Sequence, residues 1–212
     1  MTGFGWLEYA GLMVAFGIGA VSPGPDFAMV LRQSIAHGRR AAILTSAGIA
    51  SAIVIHGTYT VLGIGLVVAQ SVLVFSALKF IGAAYLIWLG IGALRAPPPR
   101  QPDGLDAPST RVMGAAQAFG IGFLTNLLNP KAVLFFLALF TTLVSTSTPA
   151  AAQAIYVASM SAMLFGWFAL VSLLFTTPRI RGGFYRMGRW FNRATGAALI
   201  FLAITVALSR RN

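Results

Sequence analysis

Pro23-Gly24-Pro25-Asp26, in the middle of one apolar stretch, and Asn129-Pro130-Lys131, in the middle of another, decide how this chain folds. Proline removes a backbone donor and clashes with the preceding turn, so each motif breaks a helix. In hydrocarbon, irregular backbone survives only where it is buried in protein or lines a water-filled cavity. Each break also carries a charge, Asp26 or Lys131, and the two fall at corresponding places in the halves of a 212-residue chain. Interrupted apolar segments in matching positions of two halves point to a transporter's substrate site. The expectation is a small integral membrane transporter.

Composition leads to the same class. The chain is 58% hydrophobic and 9% charged, with a mean hydropathy of +0.83, whereas a soluble domain carries about 25% charged residues. Its 4 acidic side chains are too few to dress a soluble surface. The net charge of +11 does not indicate nucleic acid, because the basic residues cluster between apolar segments. Such clusters act as topology signals and as contacts to anionic lipid head groups. With 0 cysteines, disulfides and thiolate metal sites are excluded. No basic residue precedes the first apolar stretch, and Glu8 lies there instead, so a retained first span is expected rather than a signal peptide.

Six apolar segments follow one another, near residues 4–31, 41–69, 73–94, 113–144, 150–175 and 191–208. A straight span needs about 20 residues, so the first, second and fourth are long enough to tilt or break. Arginines gather after the first, third and fifth segments: Arg32, Arg39 and Arg40; Arg95, Arg100 and Arg111; Arg179, Arg181, Arg186, Arg189 and Arg193. The opposite side has Lys79, Arg210 and Arg211. The positive-inside bias then places the arginine-rich loops in the cytoplasm and both termini outside. Trp6 and Tyr9 at one face, with Trp88, Tyr185 and Trp190 near the other, read as interfacial anchors. Three spans per half require the halves to be inverted. The expected fold is an all-α membrane protein of six transmembrane helices in two inverted three-helix repeats, residues 1–94 and 113–212. Their first helices, the first and fourth of the chain, are broken at the proline motifs. Residues 95–112, rich in proline and polar side chains, read as a cytoplasmic linker.

The small residues Thr45, Ser46, Ala47, Gly48, Ala50, Ser51 and Ala52, with Gly63, Gly65, Gly82, Gly90, Gly92, Gly120 and Gly122, read as sites of close helix packing, the alternative being hydroxyls that coordinate a polar solute. Asp26 and Lys131 require more, since a charge near the bilayer centre costs roughly 2.5–3.5 kcal/mol on insertion scales. One anionic and one cationic group facing a cavity would match a zwitterionic amino acid. Half-helix ends would help, since N-termini attract carboxylate and C-termini attract ammonium. Two other readings stand beside this one: the charges pair with each other and lock the repeats, or Asp26 lies solvated at the interface. Asn126 and Asn129, three apart ahead of Pro130, can face one side of a helical turn, to satisfy freed backbone or to bind solute. His56 can relay protons or be a satisfied packing residue; His37, beside Arg39 and Arg40, reads as solvated.

The run Pro23-Gly24-Pro25-Asp26, then Gly38-Arg39-Arg40, Gly48 and His56, resembles the N-terminal signature of the LysE/RhtB amino-acid exporter family. Asn126-Leu127-Leu128-Asn129-Pro130-Lys131 with its following aromatic-rich run, and Arg189-Trp190-Phe191-Asn192-Arg193 with Gly196, resemble its later signatures. The resemblance covers nearly the whole chain. It implies a six-span protein of the bacterial inner membrane that exports amino acids or related small metabolites against protons. It also implies a functional role for Pro23, Gly24, Pro25 and Asp26 and for Asn129, Pro130 and Lys131. Ala52 stands where glycine is frequent in that family, and Ile53 where a polar residue is common. The expected mechanism is alternating access around a midplane site, with Asp26 as the proton-responsive carboxylate and Lys131 as its partner or the substrate carboxylate's. A proton moving inward gains about 2.3 kcal/mol per 100 mV, worth roughly 50-fold accumulation at ideal coupling. A passive small-solute channel and a non-transporting scaffold subunit are the alternatives. No catalytic set, metal cluster or nucleotide motif is visible, so neither an enzyme nor a cofactor is expected. The expected partners are a small solute and lipid, and the glycine-rich faces are compatible with a homo-oligomer.

Overall fold

The computed structural model describes residues 5–70, 72–97 and 113–208, all helical or in short connections, with no strand among them. Most of the 95–112 linker, with Arg210 and Arg211, lies outside the described residues. Eight helices follow in order: α1 Trp6–Val21, α2 Pro25–Ala36, α3 Gly38–Gln70, α4 Val72–Arg95, α5 Ala115–Leu127, α6 Pro130–Leu143, α7 Ala150–Leu174 and α8 Pro178–Leu208. Pro25 and Pro130 each open a helix at a position where a missing N–H costs nothing. The chain bends by 55° between α1 and α2 and by 58° between α5 and α6. Between α2 and α3 it reverses at Gly38, whose φ of +79° is a left-handed conformation that glycine adopts without a Cβ penalty.

Gly38–Gly63 within α3 and Ala150–Leu174 are long and apolar enough to cross a membrane, and each bent pair adds a further span if it is taken as one. The described helices thus supply two to four apolar spans of a multi-pass membrane protein. In α4 the apolar run is the shorter Phe80–Arg95. The basic residues of the last third are not in a loop as expected, because α8 begins at Pro178 and carries Arg179 to Arg193 on continuous helix. At 1.5 Å per residue α8 is about 46 Å long, which exceeds a hydrocarbon core of about 30 Å and lets its basic first half lie outside the apolar layer.

Helix α3 packs on α5 and α7, α4 packs on α8 and α6, and α1 leans on α6, α7 and α8. Lipid tails are as apolar as leucine, so these contacts depend on shape and hydrogen bonds rather than on exclusion of water. At the α3–α5 crossing a Cβ on Gly48 would collide with the Phe119 carbonyl, and one on Gly122 with the Thr45 carbonyl. Thr45 Oγ1 donates to the Ala118 carbonyl at 3.0 Å across the same crossing. Gly90 and Gly196 meet in the same way between α4 and α8. Ser46 and Ser172 share a 3.2 Å bond between α3 and α7, and Ser161 donates to the Ala50 carbonyl at 2.7 Å. The small residues of α3 are therefore packing sites. Gly63, Gly92 and Gly120, in contrast, have open space where a Cβ would go. Trp6, Trp88 and Trp190 are exposed, as anchors at an interface would be, whereas Tyr9 packs on Tyr156 and Tyr185 on Phe184.

Gly48→Ala is expected to destabilise the protein by about 1–3 kcal/mol, the usual cost of overpacking. Gly120→Ala should be neutral or stabilising by up to about 1 kcal/mol through helix propensity. Thermal unfolding of both variants in detergent would check the contrast; equal melting temperatures would contradict the close α3–α5 contact.

Candidate functional site

The two breaks, far apart in sequence, face one another. Asp26 lies in the first turn of α2, where the helix dipole favours an anion. Asn126, in the last turn of α5, donates from Nδ2 to Asp26 Oδ2 at 2.9 Å. Asn129 donates more weakly to both carboxylate oxygens, at 3.4 and 3.5 Å. The Oδ1 of Asn129 accepts from the Lys131 backbone N–H at 3.0 Å and so caps α6. One side chain therefore ends a helix and holds the opposing carboxylate. Asp26 is half-buried and held by these amides, with no ion pair to Lys131. Lys131 reaches past it and donates from Nζ to Ser22 Oγ at 3.4 Å, at the C-terminal end of α1.

Lys131 sits at the positive end of α6, where the dipole opposes a cation. Its ammonium escapes by crossing to the carbonyl end of α1, whose partial charge is negative. Gly24 makes room: a Cβ there would sit 3.3 Å from Lys131 Nζ. Likewise Gly19 leaves space for the ring of Phe135, which a Cβ would strike.

His56 is fully buried on α3. Its Nε2 meets the Asn126 carbonyl at 3.2 Å, and its Nδ1 meets the Tyr59 hydroxyl at 2.6 Å. A carbonyl only accepts, so Nε2 carries the proton, and a neutral ring then accepts the Tyr59 proton at Nδ1. The imidazole thus buttresses the end of α5 from which Asn126 reaches Asp26. His37, the C-cap of α2, is not simply solvated: its Nδ1 is buried without a hydrogen-bond partner.

Ser22, Gly24, Pro25, Asp26, Asn126, Asn129 and Lys131 line one side of a cavity of ≈ 50 Å³, with Phe16, Ile53, Phe135, Phe136, Leu164 and Phe168 among the apolar residues of the rest. Pro23 lies outside this lining, and Pro130 is exposed at the head of α6. The cavity has a polar pole and an aromatic wall. Its pole offers an anion, a cation and one acceptor in want of a donor, since Asn126 Oδ1 is buried without a partner. The amide cannot flip to relieve this, because Oδ1 would then face the carboxylate. Such an arrangement suits a small solute with a cationic donor and an anionic acceptor.

Sequence reasoning missed Ser22, Tyr59 and the aromatic wall. Ser22 directly precedes the first motif, and Tyr59 lies three residues after His56 on the same helical face, a spacing that could have flagged it. Nothing local marks Phe16 or Phe168, since phenylalanine is unexceptional in an apolar helix. Among the described residues no three or more His, Asp or Glu side chains gather as metal ligands.

The family described as LysE type translocator matches residues 17–210 of this chain. A threonine efflux protein of Salmonella typhi is 28% identical over 193 residues, covering 91% of this chain and 94% of the relative. The threonine efflux protein of Escherichia coli (strain K12) matches over the same length at the same identity. A homoserine/homoserine lactone efflux protein of Salmonella typhimurium is 34% identical over 135 residues, 63% of each chain. No solved structure matches.

The two roles of Asn129 can be separated. Asn129→Ala should cost about 1 kcal/mol through loss of the α6 cap. Asn129→Ser, which can cap but not reach Asp26, should recover that stability without recovering function. Melting temperature and solute transport measured on the same preparations check this; parallel recovery of both would contradict a role for the Asp26 contact.

Proposed function

We propose, from the premise that this chain belongs to the LysE type translocator family and is a transporter rather than an enzyme, that it exports amino acids or closely related small metabolites. The relatives named for threonine and for homoserine efflux support the solute class. The observation that carries the reading is the polar pole itself: Asp26 and the unpartnered Asn126 Oδ1 on one side, Lys131 on the other. An α-ammonium would satisfy Asn126 Oδ1 and neutralise Asp26, and an α-carboxylate would draw Lys131 from Ser22. The N-terminus of α2 favours the ionised Asp26 that would meet the ammonium, and the C-terminal end of α1 favours the Lys131 cation that would meet the carboxylate.

Export against a gradient needs a driving force, and proton antiport supplies it if Asp26 binds either a proton or the substrate ammonium. Burial of an unpaired charge is costly, so occupancy by one or the other would be favoured over an empty, ionised site. The carrier would then work by alternating access, with residues 1–94 and 113–212 as inverted three-helix repeats rocking around the breaks. The matching 55° and 58° bends support that symmetry. The six-span arrangement in the bacterial inner membrane, with both termini outside and the arginine-rich side and 95–112 linker in the cytoplasm, completes the proposal.

Proteoliposomes loaded with labelled amino acids, with and without a pH gradient, would test it. Saturable, gradient-stimulated movement is expected. Asp26→Asn should abolish stimulation by the gradient. Lys131→Met should weaken apparent affinity roughly 10- to 100-fold, the worth of a charged hydrogen bond of about 1.5–3 kcal/mol. Unchanged transport by both variants, correctly inserted, would sink the assignment. Non-saturable flux without counterflow would instead indicate a channel.

A further inference from the structure

Behind the first helix break lies a second and larger space. It opens between α2, α4 and α8 with a volume of ≈ 340 Å³, against ≈ 50 Å³ for the Asp26–Lys131 cavity. Ser22, Gly24 and Phe27 line both spaces, so a single layer of chain separates them. That layer is tied at its two ends, where the Ser22 N–H donates to the Gly19 carbonyl at 3.2 Å, Ser22 Oγ accepts from Lys131 and the Gly24 carbonyl accepts from the Ala28 N–H at 2.9 Å, and it has no backbone donor bonded between them. Ser22, Pro23 and Gly24 belong to no helix, Pro23 has no N–H, and the Gly24 N–H makes no hydrogen bond among the described residues. Phe27, in contrast, is fixed, with its ring 5.0 Å from that of Phe184 and 5.7 Å from that of Phe175. Movement of the partition would therefore be confined to the three residues ahead of α2.

The helices that frame the larger space are basic. Each framing helix carries an exposed arginine beside a lining residue: Arg32 next to Leu31 on α2, Arg95 next to Ala96 at the end of α4, and Arg193 next to Asn192 on α8. Apart from Asp26, these three helices have no acidic residue. A surface dominated by one sign of charge concentrates solutes of the other sign.

We propose that this opening is a second binding site for the carried amino acid, a vestibule on the arginine-rich side. Its rim draws in the solute's carboxylate, and the solute passes to Lys131 when the Ser22–Gly24 segment moves aside. This rests on the export reading above and adds to it a location and a route.

The chain has 0 cysteines, so single cysteines can be placed without background. Ala28→Cys on α2, and Ala93→Cys and Ala96→Cys at the end of α4, would each be treated with an anionic, membrane-impermeant methanethiosulfonate. The reagent should react from the arginine-rich side only, transport should be lost on modification, and saturating amino acid should slow the reaction. Ala150→Cys, at the far end of α7, should react from the opposite side with transport retained. Modified Ala28→Cys and Ala93→Cys proteins that still transport at the unmodified rate would overturn the vestibule and leave the export reading intact. A parent protein that carries no amino acid would sink the export reading, and the vestibule with it.

Discussion

A carboxylate from the first half of the chain, held by two amides from the second, is the interaction on which the rest of this structure depends. Asp26 lies within an apolar helical assembly, where an unpaired charge is costly. Asn126 and Asn129 provide its donors, and they can do so only if the end of α5 and the start of α6 lie against the start of α2. One requirement thus fixes the relative position of both helix breaks. Lys131 adds the reciprocal link by crossing to Ser22. The two charges form no ion pair with each other, and under the proposed function each is left to meet a solute.

The helices that present these groups are held by close approach rather than by bulk. Gly48 and Gly122 bring the backbones of α3 and α5 together, and this contact sets His56 against the Asn126 carbonyl. His56 then supports the peptide from which the Asn126 side chain reaches Asp26. A chain of contacts so connects small residues in the middle of α3 to the geometry of the cavity. A mutation at Gly48 would be felt at the carboxylate with no direct contact between them.

A distinct contact ties the other end of the assembly. Glu8 on α1 accepts from the Ser145 N–H at 2.9 Å and from Thr148 Oγ1 at 2.8 Å, both in the turn between α6 and α7. On the arginine-rich side, Arg39 Nε donates to Thr176 Oγ1 at 3.1 Å and links the start of α3 to the end of α7. The two ends of the bundle are therefore joined by polar contacts of different kinds, with the Ser22–Gly24 segment between them.

Much of this was legible in the chain. Proline geometry alone placed the breaks at Pro25 and Pro130, and the rule that charges in an apolar stretch are costly singled out Asp26 and Lys131. Glycine and small hydroxyl residues in α3 announced close packing, because in lipid little else brings helices together. Other features depended on partners remote in sequence. Whether Asp26 would pair with Lys131 or with amides is a matter of a few ångströms between chain segments about a hundred residues apart. Hydrophobicity indicated where apolar helix lies, but not that α8 would carry its arginines on helix, since arginine is compatible with helix and loop alike. The sequence by itself determined a membrane protein with two broken helices and a charge at each. Only the tertiary structure decided that the amides take the carboxylate while Lys131 turns to Ser22, because hydrogen bonds are set by distance and direction, which composition and spacing along one chain do not contain.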